Sequence, residues 1–359
     1  GVEAPGGRPR ILGYDLARCL AILSMVYVNF EVVLAMEVPT PGWLRSLATC
    51  CEGNASALFV TLAGVGFVLL GDRGILLRRA LFLLVLGYLW QTIWPGDILH
   101  YYAFYLAIGA AALGLRARWL WILAVTSALG WLGLAQVLDY GAGWRWIDLS
   151  YPDFWTVKGQ LRNLIFNGWH PLLPWLAFIF TGMAFAKSEL HRPERRGGVL
   201  LACGVLYGLA LLASAFLSSI PDTRPGLDPL VRWYAAPEAI WGTASLPPGP
   251  LYILSAASTS VAVITFSLAL TEREAIARWT RPLRHAGQLA LTLYLGHVLV
   301  LYFLVHPQLE AHAEAPLELA AVSSALFGGA AIIGSHLWRR RFRRGPLEGA
   351  MRALTRRRA

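Results

Sequence analysis

Charge is scarce in this sequence. Aspartate, glutamate, lysine and arginine make up only 14% of its 359 residues, where a soluble domain carries about 25%. With 57% hydrophobic residues and a mean hydropathy of +0.53, the chain has too little polar surface to meet water on all sides. That excludes an ordinary soluble domain and leaves the bilayer as solvent. Cysteine is sparse too. Cys19, Cys50, Cys51 and Cys203 show none of the C-x-x-C spacing of a zinc or redox centre, so they read as packing residues and no metal is expected. The sequence also lacks a glycine-rich phosphate cradle at a strand–helix junction, a G-x-S-x-G elbow and an H-E-x-x-H pair, which removes the commonest soluble enzyme chemistries. It has no soluble domain, low-complexity tract or internal repeat.

Apolar runs fill what remains. A membrane helix needs about 20 mostly apolar residues. Such runs lie near 14–36, 54–71, 76–94, 98–115, 118–138, 171–187, 198–217, 251–270, 286–305 and 317–338. They predict an all-α integral membrane protein, a bundle of about ten transmembrane helices forming one domain over residues 1–345, followed by a basic tail at 346–359. The first run follows Arg8 and Arg10, carries Asp15 and Arg18 at its start and is long, so it reads as a first span and not as a cleavable signal peptide. Fifteen tryptophans and thirteen tyrosines suit aromatic belts at the two interfaces. In GVGFVLLG, Gly64, Gly66 and Gly71 have the spacing of close helix packing.

The basic residues sort by side. Alternate segments, counted with the run ends that border them and the two termini, hold 25 of the 31 lysines and arginines, and the remaining segments hold only Arg45, Arg145, Lys158, Arg162, Arg224 and Arg232. The positive-inside rule then places both termini in the cytoplasm. The net charge of +10 is on this reading a topology signal. It implies anionic lipid as a partner of the tail, and no nucleic acid. The long segments near 37–53, 139–170 and 218–250 would cover the opposite mouth.

Ionisable groups inside spans are expensive and so mark function. The first span reads GYDLARCLAILSMVYVNF, with Asp15, Arg18, Ile22, Met25 and Asn29 spaced 3, 4, 3 and 4. At 100° per residue they share one face, which extends about 21 Å from Asp15 to Asn29. It is either a packing stripe with a local Asp15–Arg18 ion pair or the lining of a cavity. A second set opens later spans: Asp97 and His100 in PGDILHYYAFYL, Asn167 and His170 in FNGWHPLLPW. Imidazole beside a carboxylate is the side chain best matched to proton transfer near neutral pH, although an interfacial anchor is the plainer reading. His297 lies mid-span in LTLYLGHVLVLYF, bonded to a neighbouring helix or facing a cavity. Arg78 and Arg79 lead into the third span, as topology anchors or as groups for an anionic ligand.

These segments resemble a membrane acyltransferase superfamily. The opening span, with an acidic residue, an arginine three later and a deep amide at Asp15, Arg18 and Asn29, is similar to the catalytic domain of heparan-α-glucosaminide N-acetyltransferase and to the YeiB-like bacterial proteins. ASALFVTLAGVGFVLL, DILHYYAFYLAIGA, HPLLPWLAFIFTGMAFAK, LALTLYLGHVLVLY and the tail RRGPLEGAMRALTRR resemble the YeiB-like group, so the likeness spans nearly the whole chain. It implies transfer of an acyl group, acetyl first of all, from cytoplasmic acetyl-CoA or another acyl-CoA to a hydroxyl or amine of a sugar or glycan on the far side of a bacterial cytoplasmic membrane. The resemblance implies a histidine in the loop after the first span. Here that loop, EVVLAMEVPTPGWLRS, has none, and Glu31 and Glu37 are its only carboxylates. The base is therefore expected at His170, or at His100 held by Asp97, with Asn29 donating to the oxyanion. Asp15, Arg18, Arg78, Arg79 and His297 are expected on the CoA side. A transporter or flippase, and a noncatalytic scaffold, are the alternative readings. The sequence carries no oligomer signal, and a homodimer stays open.

Overall fold

The computed structural model describes residues 10–34, 42–147, 149–220, 236–305 and 317–355. Arg8, Glu37, Arg224, Arg232 and the arginines at 356–358, together with parts of the segments near 37–53 and 218–250, lie outside the described residues. Apart from one antiparallel bridge between Arg145 and Ser150, the described residues form helices and turns. In chain order the helices are α1 (Leu12–Leu34), α2 (Gly42–Cys51), α3 (Asn54–Leu70), α4 (Arg73–Gln91), α5 (Leu99–Ala112), α6 (Ala117–Ala135), α7 (Val157–Arg162), α8 (Leu172–Lys187), α9 (Pro193–Ser218), α10 (Pro237–Trp241), α11 (Pro250–Glu272), α12 (Glu274–Trp279), α13 (Arg281–Gly287), α14 (Ala290–Val300), α15 (Leu317–Arg341) and α16 (Pro346–Thr355). Wide π-helical turns extend α7 (Asn163–Asn167) and α14 (Leu301–Val305).

Among the described residues, seven helical stretches are long and apolar enough to cross a bilayer: α1, α2 with α3 as one stretch, α4, α6, α9, α11 and α15. The count is up to nine if two bent pairs are each one span, α7 with α8 at 47° and α13 with α14 at 80°. The remaining expected run, near 98–115, is helical as α5 but has only 14 residues. At 1.5 Å per residue that is about 21 Å, short of a hydrocarbon core of about 30 Å. The α7–α8 bend falls at Gly168–Pro171, where proline disfavours helical backbone at the preceding His170. Leu201, Leu212 and Phe216 on α9 are at least 70% exposed. Such a surface is unstable in water and comfortable against lipid. The chain is an all-α membrane protein.

Contacts group the chain into two compact units, residues 1–59 with 263–353 and residues 60–262 with 354–359. In the first, α1 packs on α2, α13, α14 and α15, around a core of Val26, Phe30, Leu44, Leu301 and Ala320. The residues expected as a basic tail include a helix, α16. Glu348 on it accepts from the Leu291 and Thr292 backbone N–H groups at 2.8 and 3.1 Å and from the Thr292 hydroxyl at 2.6 Å. In the second unit α4 packs on α5, and α6 and α5 on α8. α8 is buried almost all round from Pro174 to Ala186, which is why its sequence shows no polar face.

Candidate active site

Apart from Arg78 and Arg79 on α4, the sequence-predicted residues gather in three places. The first lies at the start of α1. Asp15 is buried, 1% exposed, and accepts from Arg10 Nε at 2.6 Å and Nη2 at 3.0 Å, from Arg18 Nη1 at 3.0 Å and from Gln288 Nε2 at 2.9 Å. The expected Asp15–Arg18 pair is present, but it is part of a larger knot. Four donors on two carboxylate oxygens are what an ionised group needs when removed from water. Gly287 presses on the Asp15 carbonyl so closely that any side chain there would clash. This holds Gln288 against the carboxylate. The sequence does not mark Arg10 or Gln288 as partners of Asp15: Arg10 reads as one more basic residue before the first span, and Gln288 is 273 residues from Asp15.

The second place is deeper on the same face. Asn29 Nδ2 lies 2.8 Å from His297 Nε2, and His297 Nδ1 lies 3.3 Å from the Leu293 carbonyl. An amide nitrogen only donates, so Nε2 accepts and the Nδ1 proton points to Leu293. His297 is fully buried, 0% exposed, with the Phe327 ring 6.3 Å and the Tyr294 ring 5.4 Å away. Between Arg18 and Asn29 the stripe is apolar and closed, with Ile22 and Met25 buried.

The third place belongs to the other unit. Asp97 precedes α5 and its Oδ2 accepts from both the His100 backbone N–H and His100 Nδ1, each at 3.1 Å. This is the i to i+3 geometry of a helix start, turned to orient an imidazole. Asp97 and His100 are 0% and 2% exposed. With Nδ1 donating to the carboxylate, Nε2 is the basic nitrogen, and it is enclosed with no hydrogen-bond partner among the described residues. The ring lies 3.9 Å from that of Tyr101 and 5.7 Å from those of Tyr88 and Phe154. The His170 ring meets the same Tyr101 at 5.9 Å and Trp175 at 4.5 Å, and its Nδ1 is also enclosed without a partner among the described residues. Tyr105 donates to the His170 carbonyl at 2.6 Å, and Tyr101 donates to Asn163 Oδ1 at 2.5 Å. Gly168 passes so near the Tyr101 hydroxyl and Asn163 that a side chain could not fit. The turn carrying His170 is thereby clamped onto α5.

Asn167 plays a different part. Its amide donates to the Tyr140 and Ala142 carbonyls at 2.7 and 2.8 Å, and its Oδ1 accepts from Tyr151 at 2.9 Å. Tyr151 in turn accepts from Arg162 Nε at 2.7 Å, and Arg162 pairs with Asp153 at 2.6 Å. Burial raises the Tyr151 phenol above its ordinary value, against the opposing pull of Arg162, so it stays a donor at neutral pH. This network stitches the 139–156 segment to the turn that carries His170. Tyr101, Tyr105, Asn163 and Trp175 were not singled out from sequence. The run HYYAFY at 100–105 was the available signal for the first two. Arg78 Nε donates to the Thr355 carbonyl at 2.8 Å, while Arg78 Nη2 and Arg79 Nε are enclosed without a partner among the described residues. No group of three His, Cys, Asp or Glu able to hold a metal occurs among the described residues.

Residues 10–212 match the family model described as heparan-alpha-glucosaminide N-acetyltransferase, catalytic. This chain belongs to that family. The match covers more than half of the sequence and includes Asp15, Asn29, Arg78, Arg79, Asp97, His100 and His170. Residues 184–358 match a second model, a protein of unknown function, DUF418, the YeiB-like group, which takes in His297 and α16. No curated protein matches the chain. Membership of the N-acetyltransferase catalytic family brings acyl transfer in a membrane as the general chemistry against which the three clusters are read.

Proposed function

We propose that this protein moves an acetyl or other acyl group from acyl-CoA to a hydroxyl or amine of a sugar or glycan acceptor. The observation that carries this is the Asp97–His100 dyad: His100 Nε2 is enclosed with no partner among the described residues, while its Nδ1 is held by a carboxylate. That is how a general base is prepared: one nitrogen fixed, the other presented with its lone pair. His100 Nε2 takes the proton from the acceptor O–H or N–H as the acceptor atom bonds to the thioester carbonyl carbon. The oxyanion so formed collapses, the C–S bond breaks, and the CoA thiolate leaves and takes up a proton. Asp97 holds the tautomer and balances the imidazolium. His170, facing Tyr101 from the other side, is the second imidazole able to relay that proton. Asn29 is the proposed oxyanion donor on amide chemistry alone: one N–H is engaged by His297, and an amide has two. Arg18, with Asp15 positioning it, and Arg78 and Arg79 are the proposed groups for the CoA phosphates.

The same reading places ten spans in the membrane, with α5 as the short one and both termini in the cytoplasm, supported by the sorting of the basic residues. The membrane is the bacterial cytoplasmic membrane. Acyl-CoA enters on the basic side and the acceptor on the other.

The test is transfer from radiolabelled acetyl-CoA to a panel of amino and neutral sugars by the purified protein. His100→Ala and Asp97→Asn are expected to lower the rate by roughly 10²–10⁴-fold. Absence of both transfer and CoA binding across the panel overturns the enzyme reading. The transporter reading rests on the buried Asp15 knot, and proton-coupled flux in proteoliposomes without transfer would establish it.

A further inference from the structure

A groove of about 730 Å³ runs along the first unit between α14 and α15. One wall is Leu293, Gly296 and Val300, the other Leu326, Ala330 and Gly334. Its floor includes Phe327, whose ring packs on Phe30 at 6.4 Å and on His297 at 6.3 Å. The groove therefore backs onto the Asn29–His297 pair but is itself almost wholly apolar. The glycines on its walls are not there for helix packing, because a methyl group added at Gly296 or Gly334 meets nothing within 4 Å. They keep a channel open. Leu326, Ile333 and Leu337 beside it are 70%, 63% and 55% exposed, so this side of α15 faces the bilayer.

One end of the groove has a distinct chemistry. Trp338 and Pro346 border it there, and Trp338 is fixed by stacking on Phe342 at 4.3 Å and by donating to the Arg344 carbonyl at 2.7 Å. Just beyond lie Arg340, Arg341 and Arg343, all exposed. No described carboxylate pairs with them: Arg340 reaches His336 at 3.5 Å, Arg341 lies over Phe342, and the nearest acid in sequence, Glu348, is engaged by Leu291 and Thr292. An apolar channel at membrane depth, an indole at its end and uncompensated guanidinium groups beyond form the complement of an anionic lipid: acyl chain, interfacial region and phosphate in that order.

We propose that this groove is a specific site for an anionic glycerophospholipid, with one acyl chain between α14 and α15 and the headgroup phosphate on the Arg340, Arg341 and Arg343 collar. The site is independent of acyl transfer. Neutral lipid would fill the same channel without the collar's contribution, so selectivity for anionic headgroups is the signature.

The protein would be reconstituted in nanodiscs of equal phosphatidylglycerol and phosphatidylcholine, extracted gently, and its retained lipid counted by native mass spectrometry. Phosphatidylglycerol is expected at one per chain, at least tenfold over phosphatidylcholine. Gly334→Leu and Gly296→Leu, which fill the channel where space is open, and the triple change of Arg340, Arg341 and Arg343 to Gln should each reduce it about tenfold with unfolding temperature unchanged. If one leucine variant fails to fold, the other and the arginine variant still decide. Equal retention of both lipids, or retention unchanged in the variants, overturns the proposal. So does displacement of the lipid by palmitoyl-CoA at equimolar amount, which would make the groove an acyl-donor site. A change from dimer to monomer on Gly334→Leu would make the occupant a second copy of the chain and also overturns it.

Discussion

Asp97 holds His100 by two bonds from one carboxylate oxygen, to the backbone N–H and to Nδ1, both 3.1 Å long. Because the backbone bond locks the carboxylate to the start of α5, the ring orientation follows from the helix itself. Asp97→Asn leaves the shape and removes the charge. An amide cannot balance an imidazolium, and it permits the other tautomer. Acyl transfer should fall by roughly 10²–10⁴-fold while far-ultraviolet circular dichroism stays that of the parent. Transfer within a factor of two of the parent would remove His100 as base.

The Asn29–His297 bond can be separated from catalysis by a double-mutant cycle. Hydrogen bonds between membrane helices average about 0.6 kcal/mol and reach about 1.7. Asn29→Ala and His297→Ala should show a coupling in that range in unfolding from detergent micelles. If Asn29→Ala lowers transfer by far more than His297→Ala does, Asn29 acts on the reaction. Equal losses would make the pair a structural joint.

Asp15 is the buried member of an ion cluster whose arginines are partly exposed, Arg10 by 37% and Arg18 by 30% at the side chain. Asp15→Asn should destabilise the protein, by less than the roughly 3–5 kcal/mol of breaking a fully buried pair, since water can still reach both guanidinium groups. Raising the salt should narrow the gap between variant and parent only slightly, because the carboxylate itself is enclosed. Thermal unfolding at two salt concentrations measures both.

Glu348 fastens α16 through three hydrogen bonds to Leu291 and Thr292. Each charge-assisted bond contributes about 1.5–3 kcal/mol, though shared bonds do not add fully. Glu348→Ala should release the C-terminal helix without unfolding the bundle. Limited trypsin digestion, cutting at Arg352, is expected to speed up at least tenfold. An unchanged rate would mean that α16 is held by other contacts.

What could be read without coordinates was what depends on neighbours in the chain. The membrane class followed from scarce charge and long apolar runs. The Asp15–Arg18 and Asp97–His100 pairs followed from spacing of three residues, which a helix or its first turn converts into contact. Tertiary structure decided the rest. It brought His297 to Asn29 across 268 positions, Gln288 to Asp15, and residues 291 and 292 to Glu348. It set a short helix at an angle before two expected spans, α7 before α8 and α13 before α14, and left α5 short, where hydropathy showed only apolar runs. The physical reason is that every span is apolar along its length. Hydropathy therefore says that a helix belongs in the membrane and says nothing about which helix it lies beside. That choice is made by shape, at places such as Gly287 against the Asp15 carbonyl, and shape exists only once the helices have packed.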